Sequence, residues 1–275
     1  MSMDAAALVL LALVFFIAVL YSSVGQAGGS GYLAAMALMG MAPAAMKPTA
    51  LCLNIVVALI ATIRFAHAGY FSWRLFWPFA LGSVPLSLIG GALVLPSPIY
   101  KGFVGVLLLF AAAMLLLKAE GKTAQSNHAV THEAAGGELQ ISEEGDSPTA
   151  ARLRPGPPIP VGLTIGGVIG LGSGIIGIGG GIFLSPVVLL RGWAGARETS
   201  GLAAPFILVN SIAALVGHYA ATGYIPAPAP LWAAAAAVGG AIGAGVGVRR
   251  LSPATIRRIL ALVLVIAAVK LILSM

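Results

Sequence analysis

Apolar stretches near the length that crosses a bilayer recur at 5–22, 49–66, 75–95, 102–117, 160–176, 200–220, 230–248 and 256–273. A hydrocarbon core of roughly 30 Å takes about 20 helical residues at 1.5 Å each. The runs are rich in Ala, Leu, Val and Gly and lack the alternation of a barrel strand, so they predict helices. Two interruptions are short and glycine-rich, and the apolar stretches after them, 32–42 and 182–190, are too short to span. One interruption is long. Residues 118–158 are polar, end in Arg154-Pro155-Gly156-Pro157-Pro158, and hold six of the eight acidic residues: Glu120, Glu133, Glu138, Glu143, Glu144 and Asp146. That composition cannot bury a core and reads as a flexible cytoplasmic linker. His128 and His132 lie four apart within it and read as solvated loop histidines rather than metal ligands. The linker separates a first membrane repeat, 1–117, from a second, 159–275.

Composition sharpens the picture. Of the 275 residues, 59% are hydrophobic and only 8% charged, against about 25% charged in an ordinary soluble domain. Lipid is the solvent that removes the need for surface charge. Asp4 is the only charge before the first run, so that run has no basic n-region and is not read as a cleavable signal. Cys52 is the single cysteine, which excludes an intrachain disulfide or a cysteine metal site. No carboxylate lies deep in a span, which argues against a cation carrier. No clustered Cys, His and carboxylate set and no partnered serine suggest an enzyme, a resident metal or a cofactor. The run Gly172-Ser173-Gly174-Ile175-Ile176-Gly177, with Glu198 beyond it, fits a dinucleotide fingerprint but closes an apolar span instead of following a strand.

The two halves share an order of features. A long apolar run meets Gly25-Gln26-Ala27-Gly28-Gly29-Ser30-Gly31 in the first and Gly177-Ile178-Gly179-Gly180-Gly181 in the second. The short apolar stretch follows, then Lys47-Pro48-Thr49-Ala50 or Arg197-Glu198-Thr199-Ser200, then Asn54 or Asn210 in a long helix that ends near Gly69-Tyr70 or Gly223-Tyr224. This is an internal duplication of the kind found in transporters. Charge predicts its sense. With the linker cytoplasmic and an odd number of crossings per half, 12 of the 15 basic residues face the cytoplasm, leaving Lys47, Lys101 and Lys270 outside. The repeats are then inverted, in an inner or plasma membrane, with both termini outside. Five full crossings per half, or three beside a re-entrant hairpin, satisfy the same parity. The +7 balance thus reports orientation and not nucleic-acid binding.

The glycine breaks carry the chemistry. Several glycines within an apolar helix unwind it, at about 1 kcal/mol each against alanine. Freed peptide groups are tolerated in a membrane only where buried in protein or lining a cavity. A short helix beginning at such a break presents unpaired N–H groups and about half a positive charge. Two converging from the two halves make an anion site. Its backbone is assigned to Gly28, Gly29, Gly31, Gly179, Gly180 and Gly181, against the alternative of close helix packing. Packing is preferred for the four-residue spacings Gly166, Gly170, Gly174 and Gly239, Gly243, Gly247. Thr49 and Thr199 are either N-caps or hydroxyl donors to an anion. Asn54 and Asn210 either bond a neighbouring helix or face the substrate path. Gln26, Ser30 and Ser173 are weaker donor candidates, Arg64 reads as an interfacial arginine, and His218 as a neutral hydrogen-bonded group.

The apolar helix, Gly177-Ile178-Gly179-Gly180-Gly181, Pro186 in the short helix after it, then Thr199-Ser200 and a long helix resemble the TauE/SafE family. The first half departs in its break and in Ala50, where the pattern has a serine. The resemblance implies a permease for sulfur anions such as sulfite, thiosulfate or an organosulfonate, built from helices and needing no cofactor. Together the readings give an all-α membrane protein of two inverted repeats that moves a small anion by alternating access, with an anion channel or a non-transport subunit as alternatives. Its Gly- and Ala-rich helix faces permit a homodimer.

Overall fold

The computed structural model describes residues 5–130, 156–247 and 254–274. Most of the linker acids and the Arg249–Arg250 pair lie outside them. Ten helices are described: α1 (Ala5–Ser22), α2 (Gly29–Leu38), α3 (Pro43–His67), α4 (Trp73–Ala92), α5 (Ser97–Val130), α6 (Ile159–Ile176), α7 (Gly181–Leu190), α8 (Ala196–Thr222), α9 (Ala229–Gly247) and α10 (Ala254–Leu273). No strand occurs among the described residues. Five stretches are long and apolar enough to cross a membrane: Pro43–His67, Trp73–Ala92, Ser97–Met114, Ile159–Ile176 and Arg197–Thr222. α1, α9 and α10 have 18, 19 and 20 residues. α2 and α7 have 10 each, about 15 Å at the helical rise, so neither spans by itself. α5 continues through Val130, into the stretch expected to be linker. Lys, Ala, Glu and Gln there are good helix formers.

The duplication is written into the backbone. Left-handed glycines recur in matched pairs at the same points of both halves: Gly25 and Gly177, Gly28 and Gly180, Gly40 and Gly192, Gly69 and Gly223. Helix pairing repeats as well. α4 packs on α6 and α8, and its counterpart α9 packs on α1 and α3. Each half therefore lends one helix to the other's bundle. The bundles meet where α3 packs on α8, and α5 pairs with α10.

Small residues make this exchange close. A methyl group on Gly166, Gly170 or Gly174 would overlap the carbonyls of Phe79, Ser83 and Ser87 on α4. Gly239 and Gly243 stand likewise against Phe15 and Val19 on α1. Without an apolar driving force between helices in lipid, close backbone approach supplies the van der Waals contact that holds them. The packing reading of these glycines is what the structure has.

Lys47, one of the three basic residues expected outside, is a buried helix residue. It lies inside α3, 5% exposed. Its ammonium donates to the carbonyl oxygens of Gly90 (3.1 Å), Gly91 (2.7 Å) and Leu93 (3.1 Å) at the end of α4. Those carbonyls have no partner within their own helix, and a cation satisfies them and the negative end of the helix dipole together. Arg64 is exposed, with its guanidinium beside Gly245 of α9.

Candidate functional site

The turn after α1 closes at Gly25 and α6 is capped by Gly177, both left-handed. A few residues later the chain restarts as α2 and α7 from Gly28 (φ 101°) and Gly180 (φ 83°). Only glycine holds such angles without strain. Neither N-terminus carries a side-chain cap, so the first-turn N–H groups of both short helices lack that partner.

The two breaks cross each other. A Cβ on Gly29, the first residue of α2, would lie 2.9 Å from both the Cα and the carbonyl oxygen of Ile178. A Cβ on Gly181, the first residue of α7, would lie 2.9 Å from Gln26 Oε1. Gln26 Nε2 donates to Ser185 Oγ (2.8 Å) and to the Gly181 carbonyl (3.4 Å). Asn54 Nδ2 donates to the Gly177 carbonyl at 3.3 Å, and the Tyr100 hydroxyl to that of Ile176 at 2.9 Å. Ser200 Oγ donates to the Val24 carbonyl at 2.9 Å. Carbonyls released by each break are thus taken up by side chains from elsewhere in the fold, as a break within a membrane requires.

Other polar atoms in this region find no partner among the described residues. They are Asn54 Oδ1, Ser211 Oγ, Tyr32 Oη, Thr49 Oγ1 and Thr199 Oγ1, all buried. Ser211 Oγ lies 2.7 Å from the place a Cβ on Gly179 would occupy, and Tyr32 Oη 3.1 Å from that of Gly28. The Lys47 backbone flanks Gly177, and Ser200 flanks Gly25. Thr49 follows Lys47 by two residues on α3 and Thr199 precedes Ser200 on α8, and both are buried. Buried polar groups are nearly always paired. Asn54, Ser211 and Tyr32 leave unpartnered polar atoms beside the glycines of the two breaks.

The profile of the sulfite exporter TauE/SafE family matches residues 10–271. The chain belongs to the TauE/SafE family. It is also 39% identical over 270 residues to the "Probable membrane transporter protein y4hK" of Sinorhizobium fredii (strain NBRC 101917 / NGR234), covering 98% of this chain and 100% of that protein. No solved structure matches the chain. Family and relative together indicate a membrane transporter of the TauE/SafE type and not an enzyme.

On this TauE/SafE scaffold the sequence-derived residues separate. Gly29 and Gly181 meet the opposite half's break at the crossing, while Gly28, Gly179 and Gly180 lie in the breaks beside them and face Tyr32, Ser211 and Phe206 of their own halves. Gly31 instead faces α1, where a Cβ would meet Ile17 and Tyr21. Neither threonine is an N-cap. The caps are Ala42 and Gly195, and Thr49 and Thr199 lie inside the helices. Glu198 supplies the cap at α8 by accepting from the Gly195 N–H at 2.8 Å. Asn54 reaches the break, whereas both amide ends of Asn210 are engaged otherwise. Its Oδ1 accepts from Ser83 Oγ of α4, and its Nδ2 donates to the Phe206 carbonyl at 2.8 Å. The spacing explains the difference, for Asn54 follows Thr49 by about a helical turn and Asn210 follows Thr199 by about three.

Ser211, Ser185 and Tyr32 escaped the sequence reading. A lone serine or tyrosine in an apolar run gives no signal until its neighbours are known. Among the described residues no group of three His, Cys, Asp or Glu side chains could hold a metal ion. His218 is buried, with Nε2 3.3 Å from Thr222 Oγ1.

Proposed function

We propose that this chain is a secondary transporter for a small sulfur-containing anion, such as sulfite, thiosulfate or an organosulfonate, bound where the two glycine breaks cross. The observation that carries the reading is the meeting of two uncapped half-helix N-termini with several buried, unpartnered polar atoms. N–H groups and about half a positive charge at each helix end suit an oxyanion. Gly28, Gly29, Gly179, Gly180 and Gly181 supply the backbone, with Thr49, Thr199, Asn54 and the newly found Ser211 as side-chain partners. Asn210 braces α8 on α4.

Alternating access follows from the exchange of helices. The α4/α6/α8 and α9/α1/α3 bundles would rock about the α3–α8 contact, carrying one break each, and expose the site to either side in turn. The 12-to-3 partition of basic residues supports inverted repeats in a cell membrane with the linker cytoplasmic. Transport requires binding weak enough for release, and a site without a fixed arginine or lysine contact suits that.

The test is uptake of radiolabelled sulfite, thiosulfate and a sulfonate into proteoliposomes holding the purified protein. Saturable uptake of one of them, reduced at least about tenfold in Thr199→Val and in Ser211→Ala at unchanged thermal stability, supports class and site. Absence of uptake of all three, with or without a pH gradient, rejects the reading.

A further inference from the structure

We infer that the site selects a monoanion that brings a hydrogen-bond donor of its own, and that Asn54 Oδ1 is the atom that reads the donor. This rests on the anion site proposed above and narrows its substrate. Asn54 is fully buried, with Nδ2 3.3 Å from the Gly177 carbonyl oxygen. Rotating the amide by half a turn would set oxygen against oxygen, so that carbonyl fixes which way the amide faces. Oδ1 then points elsewhere and meets no donor. Asn54 Nδ2 also lies 2.8 Å from the Cβ position of Gly29, which places the amide over the N-terminus of α2. The Ile178 carbonyl oxygen is 2.9 Å from that same position.

The hydroxyls of Ser211, Tyr32 and the threonines can turn to donate or to accept. An amide oxygen can only accept. An anion whose every polar atom is an acceptor would therefore leave Oδ1 bare against negative charge. An anion bearing an O–H or N–H as well satisfies the helix-end N–H groups with its oxygens and Oδ1 with its donor. Charge agrees. The Lys47 side chain passes Gly177, but its ammonium is engaged by three carbonyls at the negative end of α4. The two helix ends themselves offer together about one positive unit, which suits a monoanion. A hydrogensulfite-like species fits this description, and a fully deprotonated dianion does not.

Sulfamate and methanesulfonate test it, being monoanions of nearly one shape that differ by an amino group in place of a methyl. Calorimetric titration of the purified protein with each is expected to show sulfamate binding at least about fivefold, and up to about 100-fold, more tightly, the range for one buried acceptor left unpaired. In Asn54→Leu that ratio falls toward one, whatever the absolute affinities do. If Asn54→Leu fails to fold, Asn54→Ala withdraws the acceptor without adding bulk and is expected to lower the ratio likewise. Equal affinities in the unaltered protein, or a ratio unmoved in the folded variant, overturn the inference and leave the anion site standing. Binding of neither probe, together with no uptake of sulfite, thiosulfate or a sulfonate, overturns the site itself.

Discussion

Gly29 opens one short helix against the backbone of Ile178 in the other half's break, with room for a hydrogen and no more. A Cβ there would lie 2.9 Å from the Ile178 Cα and 2.8 Å from Asn54 Nδ2. The two halves are joined at this point by backbone and not by side chains that could shift. Gly29→Ala is expected to cost about 1–3 kcal/mol through overpacking and to reduce transport at least about tenfold. Gly172→Ala, where a methyl group meets nothing within 4 Å, serves as control. Thermal melting in detergent and proteoliposome uptake measure both, and full uptake by Gly29→Ala would show that the breaks need not touch.

Adjacent residues on α8 are expected to fail in different ways. Asn210→Ala removes the acceptor of Ser83 and the donor to Phe206, at a cost of roughly 0.6–1.7 kcal/mol for a polar contact within a membrane protein. Its melting temperature should fall while the KM for the transported anion stays within about twofold. Ser211→Ala removes an unpartnered hydroxyl, so the melting temperature should hold and KM should rise. The reverse pattern would exchange their assigned roles.

Gln26 and Ser185 join opposite halves through one 2.8 Å hydrogen bond. A double-mutant cycle of Gln26→Leu and Ser185→Ala, read by thermal stability, should give a coupling of about 0.5–1.5 kcal/mol. Additive losses would mean that the bond contributes nothing to holding the halves together.

The α4–α6 contact is expected to distinguish Gly170 from its neighbour Gly172. A methyl on Gly170 would overlap the Ser83 carbonyl. Gly170→Ala should lower stability by about 1–3 kcal/mol, and Gly172→Ala should raise it by a few tenths to about 1 kcal/mol through helix propensity. Equal melting temperatures would contradict the packing described for these helices.

Lys47→Met strips three carbonyls at the end of α4 of their donor. A loss of roughly 1.5–3 kcal/mol, the range for hydrogen bonds to a charged group, is expected. Urea or thermal unfolding of the detergent-solubilised protein measures it, and an unchanged midpoint would remove the cap from the account.

The sequence by itself determined the helical membrane class, the family and the duplicated breaks. Few charges and repeated apolar runs admit only a lipid solvent, and glycine clusters at the same point of both halves, Gly28-Gly29 and Gly179-Gly180-Gly181, mark the breaks by their recurrence. It also marked Gly166, Gly170 and Gly174 as a packing face, because a four-residue spacing fixes one side of a helix before any partner is known. Partners were another matter. Thr49 and Thr199 read equally as caps until Ala42 and Gly195 held those positions. Asn54 and Asn210 looked equivalent by order, yet one reaches the Gly177 carbonyl and the other is bound to α4. Lys47 gave no sign of its partners until the end of α4 came to lie over it. Each of these depended on which helix packs against which, and α4 crossing into the bundle of the other half is a long-range choice that no local pattern encodes. Tertiary structure alone decided which buried polar groups are paired with protein and which are not.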